Sequence, residues 1–464
     1  MKKTFLEAPL HFNTIVIGGG IVGAGVFRDL SLQGQDVLLI DKNDFSSQTS
    51  MSSSKMLHGG IRYLENMDFA LVWEALHEKN LWLKLAPHLC YEKKFYLPIY
   101  KDSLRPKWML RVGLFLYDLL SSFQNSPHSM ANTKETIEHF KTIKGDGLQG
   151  SGIYFDAIVD DAKLTLEVIY DGLEESGSMA LNYTEYVKHE HLSENEIRVT
   201  LKDVETNEER EFFCEDIVFA TGPFTDKVLK GNHNINWQDH LLPSKGSHLW
   251  IKKEDLNIND AIVLTPNDGR VIFVIPQKNM VLVGTTEVSI QDVAFNQKAD
   301  QSEVDYLIEN LNQYFPHAKV TRDSIISSFS GIRPLVKEDS STDRAKTARD
   351  HKYFQPRSNM HIIIGGKYTT FRIMAQDVSR IICTRHHRLY DEGKTLSPLR
   401  VKSTVLPFSL LEEITNDQID QIIQKEHVKS VEDVIERRIN NPFIQITDEQ
   451  KEYIKTKIKA YHQR

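Results

Sequence analysis

The clearest chemical signature in this chain is a run of glycines at fixed spacing. Gly18-Gly-Gly20-Ile-Val-Gly23 follows the β-branched run 14–17 and opens a helical stretch to about Leu32. In that setting Gly18 permits a tight turn and Gly20 lets the backbone approach a pyrophosphate. Gly23 lets helix and strand pack closely, with the phosphate at the helix N-terminus. Val37-Leu-Leu-Ile40 supplies a second buried strand, and Asp41 follows Gly23 by 18 residues, close to the spacing of a carboxylate that holds a ribose. Strand, turn, helix, strand and acid in this order read as a site for an adenine dinucleotide. The turn alone does not choose between a nicotinamide and a flavin.

The elements that must position such a site lie further along the chain. Glu215-Asp-Ile-Val-Phe-Ala220-Thr-Gly222 and His361-Ile-Ile-Ile-Gly365-Gly-Lys367 each read as an apolar strand ending in a glycine turn. A helix follows the second from about Thr370, with Thr369 or Thr370 as its N-cap. Alone, either is equally a plain strand-to-loop turn. In this order both resemble turns that flank the cofactor in flavoproteins, and the positive end of the second helix would favour a ring that becomes anionic on reduction.

With 464 residues, 40% hydrophobic and 26% charged, the chain is long enough for two or three domains and is neither disordered, collagen-like nor a multi-span membrane protein. A net charge of −8 argues against a general nucleic-acid coat, so no nucleic-acid partner is expected. Cys90, Cys214 and Cys383 form no CxxC pair, which points to a reducing compartment. His189/His191 and His386/His387 lack further ligand types at metal spacing, so no metal is expected. Glu7, Pro9, His11 and Asn13 interrupt any apolar leader, so no cleaved signal peptide is expected. The most apolar stretch, 112–120, falls short of the roughly 20 residues that cross a bilayer.

Further segments carry a specific likeness: Ser52-Ser-Ser-Lys55-Met-Leu-His58-Gly-Gly60-Ile-Arg62-Tyr63, Val159-Asp160-Asp-Ala-Lys163-Leu, Lys245-Gly-Ser-His248, Val283-Gly-Thr285-Thr286-Glu287, Ser330-Gly-Ile-Arg333-Pro-Leu, Thr347-Ala-Arg349-Asp350 and Gly365-Gly-Lys-Tyr-Thr-Thr-Phe-Arg372. In this order, over about residues 12–390, the sequence resembles the FAD-dependent glycerol-3-phosphate dehydrogenases, within the flavoenzymes similar to D-amino acid oxidase. The resemblance implies FAD, held by Gly18, Gly20, Gly23, Asp41, Ser54, Lys55, His58, Gly59, Gly222, Gly366, Lys367 and Thr369; for His58, packing is an equal alternative. It implies oxidation of sn-glycerol 3-phosphate to dihydroxyacetone phosphate, with the hydride going to flavin N5 and the electrons to a quinone.

A phosphate dianion favours arginine, whose fork offers bidentate charge-assisted hydrogen bonds. Arg333 and Arg349 carry over as that clamp, with Arg62, Tyr63 and Thr285 completing the substrate pocket. His248, with a reference pKa of about 6.5, is the proton acceptor. Lys367 takes an electrostatic role, because it must lose a proton before it can act as a base.

The expected fold is α/β: a Rossmann-like FAD-binding domain from residues 1–90, 146–230 and 340–392, an inserted, mostly antiparallel substrate-binding domain from 91–145 and 231–339, and a short helical C-terminus, 393–464. The tail reads as two helices near 430–436 and 447–454, and it looks shorter than in bacterial members of the family, which leaves a homodimer open. Segment 104–120, with Arg105, Lys107 and Arg111 among aromatic and aliphatic residues, reads as a helix packed in the substrate domain, with a membrane interface as the alternative. The resemblance still implies peripheral membrane contact, at the inner face of the cytoplasmic membrane. Competing readings are a glycerol-3-phosphate oxidase that reduces oxygen, a flavin oxidoreductase of an amino or hydroxy acid, and a flavin-binding regulatory or assembly protein.

Overall fold

The computed structural model describes residues 4–231, 235–318, 320–337 and 351–462. One sheet is built on five parallel strands in the order Met360–Gly365, Glu209–Phe219, His11–Ile17, Val37–Ile40 and Met179–Leu181. These strands are apolar on both sides because both faces are covered. Val16 and Leu39 share a core with Phe27, Leu30, Val168 and Phe371 from the helices Ile21–Leu32, Asp161–Gly172 and Phe371–Arg385. Ile15, Ile17, Leu38 and Ile40 face the other way, into a core with Ile197, Val199 and Leu201 of the strand Glu196–Asp203. The glycine turn leaves the carboxyl end of His11–Ile17, at the centre of this sheet, where open α/β sheets place their ligands.

The second sheet is mostly antiparallel. Leu241–Lys252 is paired along most of its length by Ile325–Val336 on one side and by Met280–Gly284 on the other. Ile272–Pro276, Ala261–Leu264, Cys90–Tyr100 and Leu148–Val159 continue the sheet, with Ala261–Leu264 parallel to Cys90–Tyr100. The last of these strands corrects the expected boundary at residue 146. Leu148–Val159 pairs with Cys90–Tyr100 from Leu148 to Val159, so it belongs to the inserted sheet and the chain re-enters the cofactor domain at the helix Asp161–Gly172.

The C-terminus is helical, as expected, with one more element than the sequence reading contained. Asp433–Ile439 is a short π-helical segment and Asp448–His462 an α-helix, but a further helix, Asn416–Lys425, precedes both. Its start is a reciprocal capping box between Thr415 and Gln418. Ile419, Ile422 and Ile423 on this helix close a separate core with Val434, Ile454 and Ile458. No helix among the described residues is long and apolar enough to cross a membrane.

Candidate active site

The loop that follows Val37–Ile40 holds the glycine turn from below. Gly19 N donates to Asp41 Oδ2 at 2.7 Å, Ser46 N to Gly19 O at 3.0 Å and Ile21 N to Ser50 Oγ at 2.9 Å. Gly18 adopts φ 110°, and a Cβ on Gly23 would stand 1.8 Å from Gly18 O, so both positions demand glycine. The helix Ile21–Leu32 opens at Gly20 with no side-chain cap from that residue, and Gly20 lines the adjoining cavity. That cavity, about 790 Å³, is lined by Gly18, Gly20, Asp41, Thr49, Ser50 and Gly222 among others. Burial pushes the Asp41 carboxyl up to about 6, against the pull of the Asn43 and Gly19 amides.

A second cavity, about 260 Å³, shares Gly20, Thr49, Ser50 and Gly222 with the first. Its walls bring together Ser54, His58, His248, Arg333, Gly366, Lys367 and Thr369. Gly222, Gly365 and Gly366 all have positive φ, which keeps backbone rather than side chains at this wall. Lys367 Nζ lies 4.1 Å from the centre of the Tyr63 ring. Thr369 Oγ1 accepts from His58 N at 3.2 Å, so it ties the two loops together instead of capping a helix. Thr370 occupies the N-cap position of Phe371–Arg385 but makes no side-chain cap bond.

A third cavity, about 210 Å³, shares Ser54, His58, Tyr63 and Arg333 with the second and adds Arg62, Asp156, Arg270 and Thr285. Arg333 donates to Thr285 Oγ1 at 2.8 Å, and the guanidinium fits only because residue 246 is glycine, whose Cβ would lie 2.4 Å from it. Arg62 is exposed and has no hydrogen-bond or ion-pair partner among the described residues. Among the lining residues that sequence reasoning did not assign to the site, beside Arg270, is Asp156. Its carboxylate accepts from Tyr117 OH at 2.8 Å and is pushed up to about 6 by burial. It lies only four residues before the quoted Asp160 segment, but its facing of the cavity depends on the pairing of Leu148–Val159 in the second sheet.

Several expected site residues have other roles. Lys55 does not line these cavities. Its ammonium is buried and pairs with Asp161 at 2.6 Å and Met51 O at 2.7 Å, because a charge sealed from water needs a carboxylate. Gly59 also lies behind the wall. Its amide donates to Tyr117 OH at 2.9 Å, and the missing side chain makes room for Leu76 and Tyr117. Arg349 lies outside the described residues. His248 is in place but does not titrate near neutrality: burial first, then the Arg333 and Lys55 charges, lower it to about 3. Its ring stacks on Phe329, and Nε2 shares a hydrogen bond with Ser54 Oγ at 2.9 Å. Among the described residues no group of three or more His, Cys, Asp or Glu side chains is placed to hold a metal ion.

Three joined cavities, a glycine turn at the helix N-terminus and wall positions kept open by Gly222, Gly365 and Gly366 fit an extended dinucleotide such as FAD. The sequence model of FAD-dependent oxidoreductases, the DAO family, matches residues 13–367, and the chain belongs to that family. Among curated relatives, aerobic glycerol-3-phosphate dehydrogenase of Staphylococcus aureus is 33% identical over 402 residues, covering 85% of this chain and 71% of that protein. Among solved structures, glycerol-3-phosphate dehydrogenase from Bacillus halodurans complexed with FAD superposes with a TM-score of 0.66 at 26% identity, over 89% of this chain and 71% of that one. L-α-glycerophosphate oxidase from Mycoplasma pneumoniae, with FAD bound, shares the fold at a TM-score of 0.64 and 16% identity, over 80% and 94% of the two chains.

Proposed function

We propose that the chain oxidises sn-glycerol 3-phosphate to dihydroxyacetone phosphate with FAD bound along the three cavities, and passes the electrons to a quinone. The observation that carries this reading is the convergence of Arg62 and Arg333 on the third cavity, which joins the cavity of Gly366 and Lys367. A phosphate dianion would give Arg62 a charged partner and would lie beside the Arg333 guanidinium, which Thr285 Oγ1 and Thr286 O orient at the same cavity. The family relatives named for the same substrate support the assignment.

FAD, when bound, supplies the hydride acceptor. This chain's residues bind, orient and deprotonate. Arg62 and Arg333 hold the phosphate and fix which carbon faces the second cavity. Ser54, which lines both cavities, accepts the proton of the substrate hydroxyl at Oγ while its own proton passes to His248 Nε2, 2.9 Å away. The ring is neutral at physiological pH, as a base must be. Burial is the main cause that holds His248 low; a phosphate dianion on Arg333 would offset the smaller cationic contribution, so substrate binding raises its basicity in part. Lys367, against the Tyr63 ring, supplies positive potential at the same wall.

One exposed helix face supports an electron acceptor that resides in a membrane. The helix Lys107–Leu120 buries Leu110, Leu114 and Tyr117 but leaves Trp108 70% exposed, with Val112, Phe115 and Leu119 also exposed. The packed-helix reading of this segment therefore holds for one face only. Nearby in sequence Leu104 is 70% exposed, and Lys107 and Arg111 add positive charge, the pattern of a helix lying in a bilayer interface.

Anaerobic addition of glycerol 3-phosphate to purified holoprotein tests the reaction: bleaching of the oxidised flavin spectrum is expected, and an unchanged spectrum would overturn the assignment. Oxygen consumption without quinone would replace the quinone with oxygen as acceptor.

A further inference from the structure

The C-terminal helical unit reaches the cofactor site through one buried carboxylate. Asp44 lies in the loop that holds the glycine turn, and it is sealed from solvent. Arg438 donates to both of its oxygens, and Arg437 Nε donates to Oδ2 at 2.5 Å. Both arginines come from the π-helical segment Asp433–Ile439, almost four hundred residues away in sequence. Asp433 pairs with Arg437 at 2.5 Å and Glu436 with Arg437 at 3.1 Å, and Glu426 approaches Arg438 Nε at 4.0 Å, so with Asp44 four carboxylates surround the two guanidinium groups. The same segment is fastened to neighbouring parts of the cofactor domain: Tyr183 OH donates to Asp433 Oδ1 at 2.6 Å, and Lys163 Nζ to Ile439 O at 3.3 Å.

What Asp44 anchors is the support of the phosphate-binding turn. Asp41, three residues before it, takes the Gly19 amide, and Ser46, two residues after it, donates to Gly19 O. Phe45, next to Asp44, packs against Gly19 so closely that a Cβ there would lie 2.5 Å from its ring. Asp41 and Ser46 also line the large cavity next to the turn. The chain of contact is therefore continuous: π-helical arginines, Asp44, the 41–50 loop, the glycine turn, the adenosine end of the cavity. A loop fixed from both sides loses less freedom when a ligand orders it.

We propose that the C-terminal unit is a retention clamp for FAD, in which Arg437 and Arg438 act as positioning residues: docking of the unit onto Asp44 and occupancy of the adenosine end of the site favour each other. The coupling is reciprocal, since whatever the docked unit adds to dinucleotide affinity, the dinucleotide adds to docking. It rests on the family's use of FAD and is independent of substrate and electron acceptor.

The test uses the full chain. Apoprotein carrying Arg437→Gln and Arg438→Gln is titrated with FAD and separately with ADP, which occupies only the adenosine end, and hydrogen exchange of residues 411–462 is followed in wild type with and without FAD. Both affinities are expected to fall about 10-fold, within the usual range of coupling between sites. Exchange in the C-terminal helices is expected to slow on FAD binding. Leu311→Ala, in the core of the inserted sheet's domain, should lower thermal stability and leave ADP affinity unchanged. Wild-type affinity for ADP in a folded double variant overturns the clamp. Should the double variant not fold, FAD-independent exchange of the wild-type tail overturns it equally.

Discussion

Replacing Gly246 by Ala tests whether Arg333 is a phosphate clamp or only a structural arginine. Gly246 sits in the strand Leu241–Lys252 opposite Gly331, with a backbone conformation that alanine adopts freely. The new Cβ would stand 2.4 Å from an Arg333 guanidinium nitrogen and 2.6 Å from Thr285 Oγ1. Ordinary contact begins at about 3.4 Å, so the guanidinium must retreat by about 1 Å and give up the 2.8 Å bond to Thr285 that aims it. A displacement of that size at a positioning group costs roughly 10²-fold. Counted instead as one charge-assisted hydrogen bond of about 1.5–3 kcal/mol, the loss is about 10- to 150-fold. Steady-state kinetics with an artificial electron acceptor should therefore show KM for glycerol 3-phosphate raised by one to two orders of magnitude, with FAD absorbance retained. A folded, FAD-loaded variant with KM within twofold of wild type would refute the clamp.

Arg62→Ala should raise KM by about 10-fold or more and weaken competition by inorganic phosphate, while the melting temperature stays unchanged, because Arg62 has no partner among the described residues to lose. For His248 the folded pKa of about 3 lies below its ordinary 6.5, so the native state refuses a proton that the unfolded chain accepts. Its contribution to stability is thus intact above about pH 6.5 and lost as pH falls towards 3; at pH 4.5, two units below, the loss is about 2.7 kcal/mol. Urea unfolding at pH 7 and 4.5 should show this loss in wild type and its absence in His248→Phe, which keeps the stack on Phe329 but abolishes turnover. Equal pH dependence in the two proteins would contradict the buried, neutral assignment. Trp108→Ser with Phe115→Ser should abolish sedimentation with vesicles containing anionic lipid while leaving activity with a soluble acceptor intact; undiminished sedimentation would remove this helix as the membrane face.

The parts of the site that were legible in the sequence are those enforced by local backbone chemistry. Gly18, Gly20 and Gly23 announce themselves because turn, phosphate approach and helix packing each forbid a side chain at a fixed spacing, and the parallel strands because burial on both faces makes them continuously apolar. Lys55 shows where that logic ends. It stands in the same polar run as Ser54 and His58, yet the fold turns Ser54 into the cavity and Lys55 away from it, onto Asp161 more than a hundred residues on. Which side of a short loop a side chain takes follows from tertiary pairing, and spacing carries no record of it. Leu148–Val159 was misplaced for a related reason: its apolar run suits either sheet, and only pairing with Cys90–Tyr100 decides. The helix Asn416–Lys425 did carry a local signal, the Thr415/Gln418 capping box, which sequence reading could have used.

Charge follows the same division. A sequence states that an arginine is present, not whether its charge is already spent. Arg437 and Arg438 are as basic as Arg62 in the sequence, but Asp44 consumes theirs in a buried cluster, and Arg28 and Arg372 are likewise committed, to Asp171 and Glu78. Arg62 has no carboxylate partner among the described residues and stands at a cavity wall, where Arg333 also donates to the Thr285 hydroxyl. Folding thus sorts the cations: buried ones such as Arg28, Arg437 and Arg438 are closed by carboxylates, whereas Arg62 and Arg333 line the cavity where a phosphate dianion would complete the site. The acidic net charge of −8 is compatible with an anionic substrate for this reason, since recognition depends on the unspent local charge and not on the sum.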